Sequence, residues 1–384
     1  MKKDLWKIYF LAFVSNLMFF LPVVYIYYLD IGFNFSQIFM LEGVFSFGFL
    51  VFLLPFGALA DYIGRKKVLI FNAIIGVICN LVYFYSENFV IYLITQFVWS
   101  VVFIGSISKA FMFDFLHKNK KSKEYKKYQG MFFFFALLGS AVAALIGGYV
   151  SKFSLKLPFL LSTFSHILAI FALFSIEHKE KRGVNKNYFL ILKESFVQIK
   201  QSNWIKWLVA YYAVTGIVFR LFYPLVQPFM QRSGLDIALF GVATTFFFMV
   251  GSITGKFVDP IEKKFKDWIY LVSGIGYIIP IFFMAFFSPV WGFITVGAIF
   301  FGGVVTQVVF EHEILSITKK RLHATIISFS ELGYRGVVAL IAPVFGIYLS
   351  RVGEQKTLLT LGTVSLFLIP IFAWFFVRVK KKEK

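Results

Sequence analysis

Cysteine is almost missing from this 384-residue chain. Cys79 stands alone in an apolar stretch, which excludes a disulfide framework and a cysteine metal site. The five histidines are scattered without ligand spacing, and His312-Glu313 lacks the second histidine four residues on that a zinc-peptidase helix needs. There is no G-x-x-x-x-G-K-S/T loop, so hydrolysis of ATP by this chain is not expected. No nucleophile or acid–base cluster stands out either, and neither a catalytic residue, a metal nor a cofactor is expected. Charge is scarce at 15% of residues, against 59% hydrophobic, and mean hydropathy is +0.79. A water-soluble domain does not bury that share of apolar side chain, so the composition is that of a polytopic membrane protein. No cleavable signal peptide is expected, because the first apolar stretch, Leu5 to Leu29, is too long and lacks a small-residue cleavage site. It reads instead as a first membrane helix.

Twelve spans can be counted, each long enough at ~1.5 Å per residue to cross ~30 Å of hydrocarbon. They fall near 5–29, 36–60, 67–86, 89–113, 130–150, 157–176, 204–229, 236–255, 268–287, 289–312, 322–349 and 357–378. The net charge of +20 invites a nucleic-acid reading, but its distribution opposes one. Of the 39 Lys and Arg, five lie in outer loops (Lys152, Lys156, Arg232, Arg351, Lys356). Three more lie at least four residues inside spans (Lys109, Arg220, Arg335), leaving 31 in the termini, the alternate loops and the span ends beside them. This is the positive-inside bias, which places both termini in the cytoplasm of a plasma-membrane protein and leaves no role for nucleic acid. The longest basic loop separates six spans from six, giving an N-terminal bundle over 1–176, a linker over 177–203 and a C-terminal bundle over 204–384. Within the linker, Phe189, Leu192, Phe196 and Ile199 recur at helical spacing and predict a surface-lying amphipathic helix.

Gly57-Ala58-Leu59-Ala60-Asp61-Tyr62-Ile63-Gly64-Arg65-Lys66-Lys67 joins the second span to the third. Gly57 allows a close helix approach. Asp61 suits a helix N-terminus, Gly64 permits a turn, and Arg65 can hold a carboxylate in two hydrogen bonds. An echo follows in the second half: Gly255 to Asp259 repeats G-x-x-x-D, with Lys263 four residues on as Arg65 is from Asp61. Asp114 ends the fourth span, and Glu311 and Glu313 end the tenth. The pattern resembles the signature loop of the major facilitator superfamily of secondary transporters, departing only at Tyr62, where a cation is usual. That resemblance implies an all-helical membrane protein of two pseudo-symmetric six-helix bundles. It also implies a cytoplasmic latch in which Arg65 pairs with Asp114, Lys263 pairs with Glu311 or Glu313, and Asp61 faces the start of span 11. Span 5 carries Gly139 and Gly147-Gly148, but Ala143-Ala144 stand where drug–proton antiporters of the family often have Gly-Pro. The Gln37–Glu42 segment and Lys319–Thr325 with Ser328 look like a bacterial branch of the superfamily. The Lys-rich, Arg-poor, Phe-rich composition fits a bacterium with an AT-rich genome.

Ionisable groups within a bilayer are expensive and need a reason. Glu42, Arg220, Glu331 and Arg335 are the candidates. Glu331 and Arg335 lie one turn apart and can neutralise each other, and Arg335 can also be expected to reach Glu42. Glu42 is the candidate for a protonatable coupling group. Arg220, Tyr223 and Gln227 share one face of the seventh span, a set suited to an anionic ligand. Asn16, Tyr25, Gln96, Trp99 and Gln307 are candidate facing groups on the spans that line the family's cavity. Each polar residue taken singly has a plainer reading as a helix–helix hydrogen bond. The function expected is secondary active transport of a small molecule by alternating access, coupled to protons, with a preference for efflux by a monomer. Two alternatives stay open: uptake of a small anionic metabolite, and a non-transporting membrane sensor of the same fold.

Overall fold

The structure is a computed structural model, and it describes residues 2–103, 107–108, 111–112, 115–116, 125–176, 188–318 and 322–383. Helices dominate throughout. In chain order they are α1 (Lys2–Ser15), α2 (Val24–Asp30), α3 (Phe35–Ile63), α4 (Arg65–Tyr85) and α5 (Phe89–Trp99). Then come α6 (Tyr125–Val150), α7 (Leu157–Ser175), α8 (Tyr188–Gln201), α9 (Asn203–Arg232) and α10 (Ile237–Phe265). The last four are α11 (Ile269–Phe286), α12 (Phe293–Ile317), α13 (His323–Val352) and α14 (Glu354–Glu383). Nine described stretches are long and apolar enough to cross a membrane, one of which, Ile237–Phe286, holds both α10 and α11. Large apolar side chains stay exposed along them, among them Leu340, Phe171, Phe174, Val344 and Phe367. A surface of that kind is tolerated against lipid tails and not against water.

The first and fourth spans expected from hydropathy are not continuous helices. Between α1 and α2, residues 16–23 form turns. Pro22 has no N–H to donate and disfavours helix at Leu21, while the Asn16 amide donates to the Ala12 carbonyl at 2.8 Å and competes with the backbone. After α5, Ser100, Val101 and Val102 fold into a tighter turn, with Val102 N–H donating to Trp99 O at 3.0 Å. Neighbouring helices are shaped to receive the first break. Ser162 of α7 accepts the Phe19 N–H at 3.0 Å, and Ser165 donates to the Leu17 carbonyl at 2.9 Å. On α6, a Cβ added at Gly139 would lie 2.3 Å from the Phe13 oxygen, and one at Gly147 would lie 1.9 Å from the Phe19 oxygen. Only glycine lets these backbones meet.

The chain divides into two compact units. One comprises Met1–Phe33, Met40–Lys186 and Asp236–Thr245; the other comprises Asn34–Phe39, Asn187–Leu235 and Phe246–Lys384. In the first unit α1 packs on α6 and α7, and α4 packs on α5 and α7. In the second, α9 packs on α13 and α14, and α11 packs on α12 and α14. Counting the broken spans as one each, these are the same pairings shifted by six spans, so the internal echo in sequence has a counterpart in packing. Glycine contacts repeat too: Gly276 and Gly302 bring α11 and α12 together, where an added Cβ would meet backbone at 2.4–2.5 Å. The linker helix α8 forms over Tyr188–Gln201 and packs on α9 and α13. Its buried side carries Ser195, and Phe196 is exposed, so part of the apolar stripe faces outward, as a helix lying in a lipid interface requires.

Candidate functional site

In the second unit, helices α9, α11, α12 and α13 enclose a cavity of about 240 Å³. Arg220 and Gln307, both singled out from sequence, line it. The other residues expected on the Arg220 face do not. Tyr223 stacks on Phe219, with centroids 5.3 Å apart, and Gln227 is 3% exposed within the helix packing. The cavity face of α9 runs the other way along the helix, through Tyr212, Thr215, Gly216 and Phe219. The same i, i+3/i+4, i+7 periodicity, followed toward the N-terminus from Arg220, marks these positions.

Three tyrosines missed from sequence, Tyr212, Tyr277 and Tyr334, complete the wall. Tyr212 stacks on Phe310 at 4.5 Å and meets Tyr334 edge-on at 5.9 Å. Gly216 leaves room for the Tyr334 ring, which an added Cβ would approach to 3.1 Å. Next to Tyr334, the Arg335 guanidinium donates to the Glu331 carboxylate at 3.2 Å and sits 5.6 Å from the Tyr334 ring centroid. This is the i,i+4 pair expected from sequence; Arg335 is buried and Glu331 half-buried. Gln307 donates to Glu311 at 3.1 Å, tying that carboxylate to the cavity wall. The cavity thus brings the Arg220 guanidinium together with tyrosines and aromatic faces, which is chemistry for an anionic group on a partly apolar body.

The first unit uses its candidates differently. Tyr25 donates to the Glu42 carboxylate at 2.8 Å, with both residues buried. Gln96 accepts from the Tyr83 hydroxyl at 2.9 Å. Trp99 lies edge-on to Phe20 and Tyr83 at 5.6 and 5.5 Å. Tyr27 donates to the Tyr83 carbonyl at 2.6 Å, and its hydroxyl lies 2.8 Å from that of Tyr92. Gln96 and Trp99 are therefore engaged in the packing of their own unit. Asn16 lines a separate cavity there.

The signature loop is tighter than a polar turn. Helix α3 continues to Ile63 and α4 begins at Arg65, leaving Gly64 at φ +106° as the only break. Asp61 and Arg65 form an i,i+4 ion pair of 3.0 Å. Asp114, the partner expected for Arg65, lies outside the described residues. Lys66 donates to the Ile176 carbonyl at 2.7 Å, and Lys7 to the Ser175 carbonyl at 2.6 Å, so two lysines hold the C-terminus of α7. Gly57 corrects the sequence reading: among the described residues an added Cβ there would meet nothing within 4 Å, so none of their helices approaches closely at it. The second-half echo also lacks its ion pair. Asp259, Lys263 and Glu313 border one cavity of about 470 Å³, but Lys263 makes no ion pair with Glu311 or Glu313. Half-solvated charges gain little from pairing, and an open space between them keeps them apart.

Comparison with known proteins follows this architecture. A sequence profile described as Major Facilitator Superfamily matches residues 5–313. No curated protein matches in sequence. Among solved structures, the nucleoside transporter NupG superposes with a TM-score of 0.82 at 12% identity, over 98% of this chain and 99% of that one. A point mutant of NupG gives the same TM-score at 11% identity over the same shares. A bacterial homologue of the human lysosomal transporter Spinster, inward-facing and unoccupied, superposes with a TM-score of 0.73 at 13% identity, covering 99% and 97% of the two chains. At such identities these likenesses speak for the fold. With the profile spanning most of the sequence and the described helices repeating their pairings from the first half to the second, the chain belongs to the major facilitator superfamily.

Proposed function

We propose that this protein is a secondary transporter that works by alternating access and exports a small, anionic, partly hydrophobic compound in exchange for protons. The observation that carries this reading is Arg220 on the wall of a cavity whose other sides are Tyr212, Phe219, Phe300 and Tyr334. A guanidinium among rings selects a carboxylate or phosphate borne on an apolar body. Glu42 is the proton-coupling group in this reading. A buried carboxylate hydrogen-bonded to a tyrosine has a partner in either protonation state. The proposed organisation is two bundles, 1–176 and 204–384, joined by a linker over 177–203, acting as a monomer in the plasma membrane with both termini cytoplasmic. Asp61, Arg65 and Asp114 form the proposed latch on the cytoplasmic side, with Asp259, Lys263, Glu311 and Glu313 as its counterpart. The half-exposed Asp61–Arg65 pair is weak and Lys263 is not paired with Glu311 or Glu313 here, which leaves both states of the transporter accessible.

The test is flux in proteoliposomes, with benzoate as the simplest anionic aromatic probe and a nucleoside alongside it because of the fold shared with NupG. Saturable benzoate flux driven by a pH gradient and lost in Arg220→Ala supports the reading. Equal benzoate flux in that variant overturns it. Uptake of an anionic metabolite uses the same arginine and would show as net flux in the opposite sense. Binding without flux would leave a sensor.

A further inference from the structure

The first unit holds a second cavity, of about 220 Å³, which the transport reading does not use. It lies between both broken spans, with Asn16 at the first break and Phe103 at the second. Non-helical backbone at membrane depth is found where it is buried in protein or lines a cavity. Two polar side chains on flanking helices border the space, Asn72 of α4 and His166 of α7, and they are only 5% and 4% exposed. The Asn72 amide donates to the Val101 carbonyl at 3.3 Å, but its Oδ1 has no partner. The His166 Nε2 has none either. Gly76 makes room for the imidazole, since a Cβ at that position would lie 2.7–2.8 Å from the ring atoms. Leaving two buried polar atoms unsatisfied is costly, and the described residues around them offer no partner.

We infer that this cavity is a binding site for a small uncharged molecule with a hydrogen-bond donor on an apolar or aromatic body. Asn72 Oδ1 can only accept a hydrogen bond, and His166 Nε2 accepts in the tautomer that carries its proton on Nδ1. Asn72 therefore calls for a donor, and His166 receives one in that tautomer. None of the described lining residues is charged, so an ion entering the cavity would find no counter-charge among them. Phe103, Phe111 and Leu173 suit the apolar body. The site does not depend on Arg220 or on transport.

The test uses the purified full-length protein with phenol and indole as donor-bearing probes and toluene as the donorless control, read by titration calorimetry. Saturable binding of phenol and indole, about tenfold tighter than toluene, is the expected result, this being the ratio one added hydrogen bond produces. In Asn72→Leu and in His166→Phe, the preference for phenol over toluene should fall toward unity while toluene binding persists, which also shows that the variants are folded. Arg220→Ala should retain phenol binding, so that loss of the transport reading and loss of this one are told apart. Equal affinity for phenol and toluene in the wild type, or no saturable binding of the donor probes, overturns the inference and leaves a cavity that holds water.

Discussion

Gly147 of α6 lies against the carbonyl of Phe19, so close that a Cβ on Gly147 would come within 1.9 Å of the oxygen. Backbone cannot yield there as a flexible side chain would. Gly147→Ala is therefore expected to push α6 away from the break after α1 and to destabilise the protein by about 1–3 kcal/mol, the usual range for overpacking. Gly130→Ala on the same helix meets nothing within 4 Å and should be neutral or slightly stabilising. Melting temperatures of the two purified variants check this; equal melting of both would refute it.

Glu42→Gln keeps the size of the side chain and a hydrogen-bonding oxygen for Tyr25 but removes the titratable proton. If Glu42 couples protons, the variant should lose transport driven by a pH gradient while keeping substrate exchange at equal pH on both sides. Tyr25→Phe, which deletes only the 2.8 Å donor, should weaken the pH-driven component without abolishing it. Gradient-driven flux at the wild-type rate in Glu42→Gln would exclude the role.

The Glu331–Arg335 pair combines a buried guanidinium with a half-buried carboxylate. Glu331→Gln removes the charge opposite a buried cation, and a loss of about 1–3 kcal/mol is expected after allowing for the exposure of Glu331. Replacing both residues, Glu331→Gln with Arg335→Met, should restore most of it, because no buried charge is then left uncompensated. Thermal melts of the single and double variants form the cycle; a double variant as unstable as the sum of its parts would argue against it.

At the start of α10, the Ala238 N–H donates to the Asp236 carboxylate at 2.9 Å, and Lys152 lies 3.2 Å away. The backbone donor first, and then the lysine, hold this carboxyl below its ordinary value. A depressed folded-state value means that the stabilisation is complete above the ordinary carboxylate range and fades as pH falls through the lower, folded value. Asp236→Asn should therefore melt below the wild type at neutral pH, with the two curves converging in acid. Melts from pH 7 to pH 3 provide the check, and a gap that widens toward acid would contradict it.

Most of the fold was legible because membrane spans announce themselves by length and hydropathy, and because Gly64 and Arg65 mark a turn at an apolar boundary. Hydropathy sums over a window and takes no account of which residue lacks an N–H. That is why Leu5–Leu29 reads as one helix although Pro22 and Asn16 break it. The candidate site was half legible. Arg220 is conspicuous as a cation in an apolar run, but its helical face can be followed in either direction, and only the packing of α12 and α13 selects Tyr212 over Tyr223. His166 was harder still. A lone histidine in an apolar helix is ordinarily a packed one, and its unpartnered nitrogen becomes visible only once Gly76, Asn72 and the two broken spans are seen around it.

The two units pair their helices alike, but among the described residues only the first has spans interrupted by non-helical backbone. A broken span can pivot about a few torsions at its joint, whereas a continuous one, even with Pro224 and Pro228 inside it as in α9, must flex along its length. One scheme of helix pairing thus recurs in two frames that differ in their joints. The jointed frame carries Glu42 and the cavity of Asn72 and His166, and the other carries Arg220 and the Glu331–Arg335 pair.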